Sequence, residues 1–336
     1  MTTRYENVAH VWLDGSTIGM YKLKALTLEK SWELFDKKTF QSCGRSCPSS
    51  LNDLGHKIVK KCGGFPPAII SIGRLLSTKE DDVIEWKKVS HGLGFYLATN
   101  RHLLDIYKIF LQIYYDLPFY LKPCFLYLGL FPKGHPISQM KVIRLWIAEG
   151  FIRERKENLS LEEVAEEYIR ELINMSIIDV RSTDVCGKVR SIGLVSDFLY
   201  EIILTKLDEL SYCKIISKKD YGGNESCRRL SIHKNRNSIA AEFLKNITKV
   251  KSSIRTLLVL DLEPEILANV LNKALFKSIY LLKVLDLFNA PIDHIPKEIG
   301  KLLNLHYLNL RCTRVSALPS SIGKLENLQT LDLKHW

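Results

Sequence analysis

One leucine pattern, repeated at a spacing of 23 residues, constrains this chain more than any other feature of it. Leu282-x-x-Leu285-x-Leu287 recurs as Leu305-x-x-Leu308-x-Leu310 and again as Leu328-x-x-Leu331-x-Leu333. The connections recur as well: Ile292, Ile295-Pro296 and Ile299-Gly300-Lys301-Leu302 return as Val315, Leu318-Pro319 and Ile322-Gly323-Lys324-Leu325. Apolar residues at every second position give a strand one apolar face. A unit this short cannot bury that face alone, but stacked copies can, and the expected product is an α/β solenoid. The residues that alternate with the leucines then fall on the concave face. They are Val284, Asp286, Tyr307, Asn309, Arg311, Thr330 and Asp332, the candidate partner-binding set.

The pattern is that of a leucine-rich repeat. Leu257-x-x-Leu260-x-Leu262 reads as an earlier, irregular copy at a spacing of 25. The same run, Leu257 to Asp261, has the shape of a magnesium-binding strand of nucleotide hydrolases. Without a G-x-x-x-x-G-K-[ST] loop, the repeat strand is the better reading. Ala290 and Thr313 stand where such repeats usually carry Asn or Cys, so that loop hydrogen bond is expected to be weakened or replaced. The chain stops at Trp336, inside a repeat, and an exposed apolar end is expected there.

Ahead of the repeats the period changes to that of helices. Thr27 is placed to cap a helix with Leu28, Trp32 and Phe35 on one face. A second helix carries Leu51, Leu54, Ile58 and Cys62 and is stopped by Gly63-Gly64. Pro66 and Pro67 suit the first turn of a third, and a short element around Trp86 and Val89 closes a four-helix unit. Residues 101–117 form another helix. The stretch Tyr120 to Phe131 is almost wholly apolar and stops at Pro132. Ser138 can cap the next helix, on which Val142, Leu145 and Trp146 form a stripe, Glu149 comes round beside it, and Gly150 ends it. Ser160 caps a helix bearing Val164, Tyr168 and Leu172. The runs Ile177–Val180 and Lys188–Leu194 form a hairpin, and a helix follows from Val195 to Leu207. Helices followed by a two-stranded wing suggest a winged helix. A DNA-binding regulator is the alternative this raises, but the helix that would enter the groove is too apolar for that task.

Composition narrows the function classes. Hydrophobic residues at 46% and charged residues at 25% of 336 are globular values. No run of about 18 apolar residues is present, so no membrane span is expected. The start has no basic segment followed by an apolar one, which points to a cytoplasmic protein with reduced thiols. The eight cysteines are scattered and no metal site is expected. The net charge of +11 reads as a basic solvated surface. Its densest stretch, His233 to Arg255, lacks the interleaved aromatics of a base-stacking platform, so no nucleic acid is expected. No G-x-S-x-G or H-E-x-x-H motif is present, and no enzyme is expected.

Several stretches together resemble a known family. Thr2-Thr-Arg4-x-x-x-Val8-Ala9 is similar to the end of a nucleotide domain's sensor strand, and Tyr21-Lys-Leu with Ser31-Trp-Glu-Leu-Phe35 to the motif after it. Lys60-Lys-Cys-Gly-Gly-Phe-Pro-Pro-Ala-Ile69 resembles the "GLPLA" motif, with Pro67 in place of its usual Leu. Cys124-Phe-Leu-Tyr-Leu through Leu145-Trp-Ile-Ala-Glu-Gly-Phe151 resembles the motif opening the family's winged helix. The chain thus looks like a plant intracellular disease-resistance receptor of the nucleotide-binding (NB-ARC), leucine-rich-repeat family, of the class that begins with a coiled coil. The phosphate loop, the magnesium-binding acids and the coiled coil would precede Met1, so the resemblance is to a receptor truncated at both ends.

That resemblance implies a multidomain chain, mainly α (four-helix unit plus winged helix) and then an α/β leucine-rich-repeat solenoid. Residues 1–20 would be a remnant of the nucleotide-binding domain, 21–100 a helical subdomain, 101–207 the winged helix and 208–336 the first repeats. The cofactor implied for a complete member is ADP or ATP, with none expected to bind this chain alone. Arg4 would be the sensor arginine and Pro66 would pack on adenine. The family's Met-His-Asp motif falls on Val195-Ser196-Asp197, so Ser196 replaces a phosphate-touching His and Asp197 keeps its carboxylate. The implied partners are a pathogen effector or guarded host protein through the repeats, and the missing nucleotide domain within the receptor. An ATPase completed by that missing half is a second alternative.

Overall fold

The computed structural model describes residues 21, 23–41, 44–79, 81–91, 104–153, 159–216, 227–233, 253–260 and 273–333. Two compact units result. The first takes residues 1–122 with 169–182 and 192–205, and the second 123–168 with 183–191 and 206–336.

In the first unit, α1 (Leu28–Thr39), α2 (Ser49–Lys61), α3 (Pro66–Ser77), α4 (Val83–His91) and α5 (Leu104–Asp116) form where helices are expected. Thr27 caps α1, its hydroxyl accepting the Lys30 N–H at 3.3 Å, and Glu29 lies in the positive first turn. α1 packs on α3, and α2 on α4. Phe35, Phe40 and Trp86 are fully buried, with Phe40 stacked on Trp86 at 5.7 Å between centroids and Phe35 meeting it edge-on at 6.1 Å. Leu28, expected on the buried face, stays exposed at the first position of α1.

The second unit opens with α6 (Leu121–Tyr127), whose apolar run tightens into a 3₁₀ turn, Leu128–Leu130, before Pro132. A short strand β1 (Ile137–Ser138) then leads into α7 (Gln139–Glu149). Ser138 holds the cap position of α7 but makes no side-chain cap bond, contrary to expectation, because it ends β1 with its side chain exposed. Gly150 closes α7 at φ +80°, left-handed backbone that glycine adopts without strain. α8 (Leu161–Asn174) begins with a reciprocal cap: the Ser160 hydroxyl accepts the Glu163 N–H at 3.2 Å, and the Glu163 carboxylate accepts the Ser160 N–H at 2.8 Å. β2 (Ile178–Thr183) and β3 (Val189–Leu194) form the expected hairpin. The Asp184 carboxylate holds its turn by accepting the Cys186 and Lys188 N–H groups at 2.9 Å. The sheet order is β1-β3-β2, and α9 (Asp197–Glu209) follows; the end of α8, nearly all of β2, the end of β3 and most of α9 are counted with the first unit.

The leucine pattern builds a parallel sheet of β4 (Lys214–Ile216), β5 (Arg229–Ile232), β6 (Thr256–Val259), β7 (Val284–Asp286), β8 (Tyr307–Asn309) and β9 (Thr330–Asp332), in chain order. α10 (Lys273–Ser278) and two 3₁₀ turns, Lys297–Lys301 and Ser320–Lys324, carry the chain back. Leu230, Leu257, Leu285, Leu308 and Leu331 stand in register across five strands. This corrects the earlier copy. Leu257 aligns with Leu285, so the pattern is Ile254-x-x-Leu257-x-Val259, three residues ahead of the expected placing, and Cys227-x-x-Leu230-x-Ile232 is a further copy before it. All six of these residues are buried in the same core. The loop bond was indeed replaced: the Thr313 hydroxyl donates to the Leu310 carbonyl at 2.8 Å, and at Ala290 the backbone N–H alone reaches Leu287.

A helix docked on the repeat strands

Within the second unit, α7 lies against β7 and β8. Its stripe of Val142, Ile143, Leu145, Trp146 and Ala148 is almost wholly buried. Each large side chain here contributes about 1.5–3 kcal/mol by leaving water. The sheet residues that meet this stripe alternate with the core leucines, and so point out of the core toward the helix.

Two charged contacts fix the helix in place. Glu149, in the last turn, has a side chain only 1% exposed. Its carboxylate accepts from Arg229 Nε at 3.1 Å and Nη2 at 2.8 Å, and from the Thr256 hydroxyl. Arg229 in turn lies 4.2 Å from the Tyr212 ring centroid and 5.2 Å from that of Phe151, so aromatic faces replace the water its planar group loses. At the other end, Lys141 pairs with Asp286 at 2.6 Å, with the Phe288 ring 5.2 Å from its ammonium. Asp286 is fully buried, and its other oxygen accepts the Asn309 amide at 2.9 Å and the Phe288 N–H at 3.1 Å. The turn before the helix is anchored too. The Leu130 carbonyl accepts the Ser231 hydroxyl at 2.7 Å and His233 Nε2 at 2.8 Å. Burial pushes His233 below the ordinary histidine range, with His135 adding to the shift against the Leu130 bond. Burial and then the Glu149 charge push the Tyr127 phenol well up, so it stays neutral.

The expected partner-binding residues therefore divide. Val284, Asp286, Tyr307 and Asn309 are buried, and the residue that Asp286 pairs with is Lys141 of this same chain. The expectation of an open concave face is corrected at these positions, because α7 supplies the complementary surface. Arg311, Thr330 and Asp332, further along, are half-buried. The contacts of Lys141, Glu149, Arg229 and Thr256 were not anticipated. The one available signal was Glu149, a carboxylate beside an apolar stripe, since a charge buried there requires a partner.

The first unit brings together other expected residues. Gly63 and Gly64, at φ +59° and +72°, end α2 and turn the chain into Pro66, which is exposed at the first turn of α3. A Cβ on Gly63 would stand 3.0 Å from the Ser196 Cβ, so the glycine turn and Ser196 are neighbours. Leu26 closes over Gly64, its N–H donating to the Gly64 carbonyl at 3.0 Å. Ser196 caps α9, its hydroxyl accepting the Leu199 N–H at 3.3 Å. Asp197 follows in the positive first turn of α9. Burial raises the Cys62 thiol, and the Asp197 charge raises it further. Arg4 lies outside the described residues.

Residues 130–203 match the family model of the disease resistance protein winged helix domain, and residues 236–336 that of a leucine-rich repeat region. The chain is 31% identical over 307 residues to disease resistance protein RPM1 of Arabidopsis thaliana, covering 91% of the chain and 32% of that relative. It is 33% identical over 323 residues to putative disease resistance RPP13-like protein 3 of Arabidopsis thaliana, covering 94% and 36%. It is 32% identical over 282 residues to a putative late blight resistance protein homolog of Solanum demissum, covering 80% and 21%. The chain belongs to the plant nucleotide-binding, leucine-rich-repeat disease-resistance family. It spans about a third of the length of the two Arabidopsis relatives. These matches support a resistance-protein reading and not the DNA-binding one, and α7, the helix a groove would need, is committed to the sheet. Among the described residues no helix is long and apolar enough to cross a membrane.

Proposed function

We propose that this chain is the switch and recognition portion of a plant disease-resistance receptor acting in the cytoplasm, with interaction rather than catalysis as its task. The observation that carries the reading is the docking of α7 on the first repeat strands through the buried Glu149–Arg229 and Lys141–Asp286 pairs. Such a contact has two states, closed and open. The charges that hold it closed oppose any half-open arrangement, because an unpaired buried charge is costly. The repeats wind into a solenoid, and Arg311, Thr330 and Asp332 lead toward the surface that meets an effector or a guarded host protein.

In the complete receptor, ADP or ATP would supply the free-energy difference between the two states. The neighbouring Gly63 and Ser196 support a place for it in the first unit. Pro66 would present its flat ring to the adenine. Ser196 keeps a hydroxyl proton to donate toward phosphate while its oxygen caps α9. Arg4 would complete that edge. This chain alone, without a phosphate-cradling loop, is expected not to bind ATP. Titration calorimetry showing micromolar binding would contradict that.

The functional test is expression in leaf tissue of a receptor carrying this segment with Glu149→Ala. Defence-associated cell death without an elicitor is expected where the unaltered receptor stays quiet. A variant that accumulates normally, has lost the docked helix and still stays quiet would overturn the reading.

A further inference from the structure

One residue just ahead of each repeat strand is stacked by the backbone into a ladder. The Arg255 N–H donates to the Arg228 carbonyl at 2.7 Å, Lys283 to Arg255 at 2.7 Å, His306 to Lys283 at 2.8 Å and Gln329 to His306 at 2.9 Å. Four successive rungs are thus Arg228, Arg255, Lys283 and His306. Neighbouring strands lie about 4.8 Å apart, so these rungs span about 14 Å. Arg228 and Arg255 are exposed, and Lys283 and His306 are half-buried. Among the described residues no carboxylate forms an ion pair with Arg228, Arg255 or Lys283.

Like charges on adjacent strands destabilise a sheet. The three cations Arg228, Arg255 and Lys283, with no carboxylate paired to them among the described residues, are therefore unfavourable side by side and favourable with an anion along them. We propose that this leading edge of the repeat sheet is a docking strip for an acidic segment of a partner protein, an extended run of Asp and Glu. A span of about 14 Å takes four to five extended residues at about 3.3 Å each. Arginine forks pair with carboxylates through two parallel bonds. No Phe, Tyr or Trp stands among the rungs, whereas single-stranded nucleic acid binds where aromatics alternate with cations. The strip leaves the strand face under α7 untouched, and is separate from the concave surface named above.

The test uses the full chain and a fluorescent oligo-glutamate peptide of about a dozen residues, with a single-stranded RNA of equal charge in parallel. Binding of the peptide, weakening as salt rises, is expected. The Arg228→Gln/Arg255→Gln/Lys283→Gln variant should lose about tenfold or more in affinity with an unchanged unfolding midpoint. Lys188→Gln/Lys297→Gln/Arg314→Gln, which removes the same charge elsewhere, should bind as the unaltered chain does. If the first triple variant fails to fold, Arg255→Glu alone should weaken binding in the same direction. Absence of peptide binding, equal loss in both triple variants, or RNA bound more tightly than peptide through the three rungs would each overturn the proposal.

Discussion

Removing either member of the Glu149–Arg229 pair should loosen the second unit by an amount that the structure allows to be estimated. The Glu149 side chain is 1% exposed and that of Arg229 13%, so neither regains a full water shell when its partner is lost. Breaking a buried pair from one side costs about 3–5 kcal/mol. For Glu149→Ala, the rings of Tyr212 and Phe151 already lie against the stranded guanidinium and offset about 0.5–2 kcal/mol of this, leaving about 3 kcal/mol. For Arg229→Ala the carboxylate keeps only the Thr256 hydroxyl, so less is offset and the loss stays near the middle of that range, about 4 kcal/mol. The double variant strands no charge and leaves only the Thr256 hydroxyl without its acceptor. It should cost well under the sum, with a coupling of about 2 kcal/mol or more. Urea titrations of the four proteins, followed by tryptophan fluorescence with buried Trp146 of α7 as the reporter, measure this cycle. Single losses under about 1 kcal/mol, with no coupling, would mean that the pair is solvated and the helix is not docked as described.

Three further outcomes are expected. His233 is held below the ordinary histidine range, so the unfolded chain binds its proton more readily. Its stabilising contribution is present in full above about pH 6.5 and falls away as pH drops through the lowered folded value. A pH titration of stability should show this loss in the unaltered chain and not in His233→Gln. Gly64→Ala would place a Cβ against the Leu26 carbonyl and 2.8 Å from the Leu26 nitrogen, at φ +72°. A melting experiment should show the first unit destabilised by about 2 kcal/mol or more, and an unchanged melting curve would contradict the turn. Ser231→Ala should cost only about 1 kcal/mol by urea titration, because His233 still donates to the Leu130 carbonyl; Ser231→Ala with His233→Ala should cost clearly more than the two separately.

Local periodicity carried most of the fold. The stripe Val142, Leu145, Trp146 placed α7, Gly150 ended it, and the 23-residue leucine spacing placed β7, β8 and β9. What escaped was either irregular or distant. Leu257 and Leu260 imitate the leucine spacing, and only pairing with β7 reveals that Leu257 is the residue level with Leu285. Cys227-x-x-Leu230-x-Ile232 was hidden because a cysteine and an isoleucine replace two leucines, although all three side chains fill the same core. The concave face was harder still. A residue that alternates with core leucines points outward whether it meets solvent or a helix. Nothing local to Asp286 tells that Lys141, from far earlier in the chain, will cover it. In the first unit, the glycine turn and Ser196 carry compatible chemistry separately. Their adjacency is a product of folding and not of spacing.

The docked helix is the claim on which the proposed switch depends, and hydrogen exchange of the α7 amides tests it most directly. With the unaltered chain, the amides of α7 and of strands β5 to β8 should exchange slowly and as one cooperative group. With Arg229→Ala they should speed up together, by a factor of about a hundred or more for a loss of about 3–4 kcal/mol, while α1 to α4 of the first unit stay unchanged. Exchange in α7 that is fast in the unaltered chain, or indifferent to Arg229, would contradict the account.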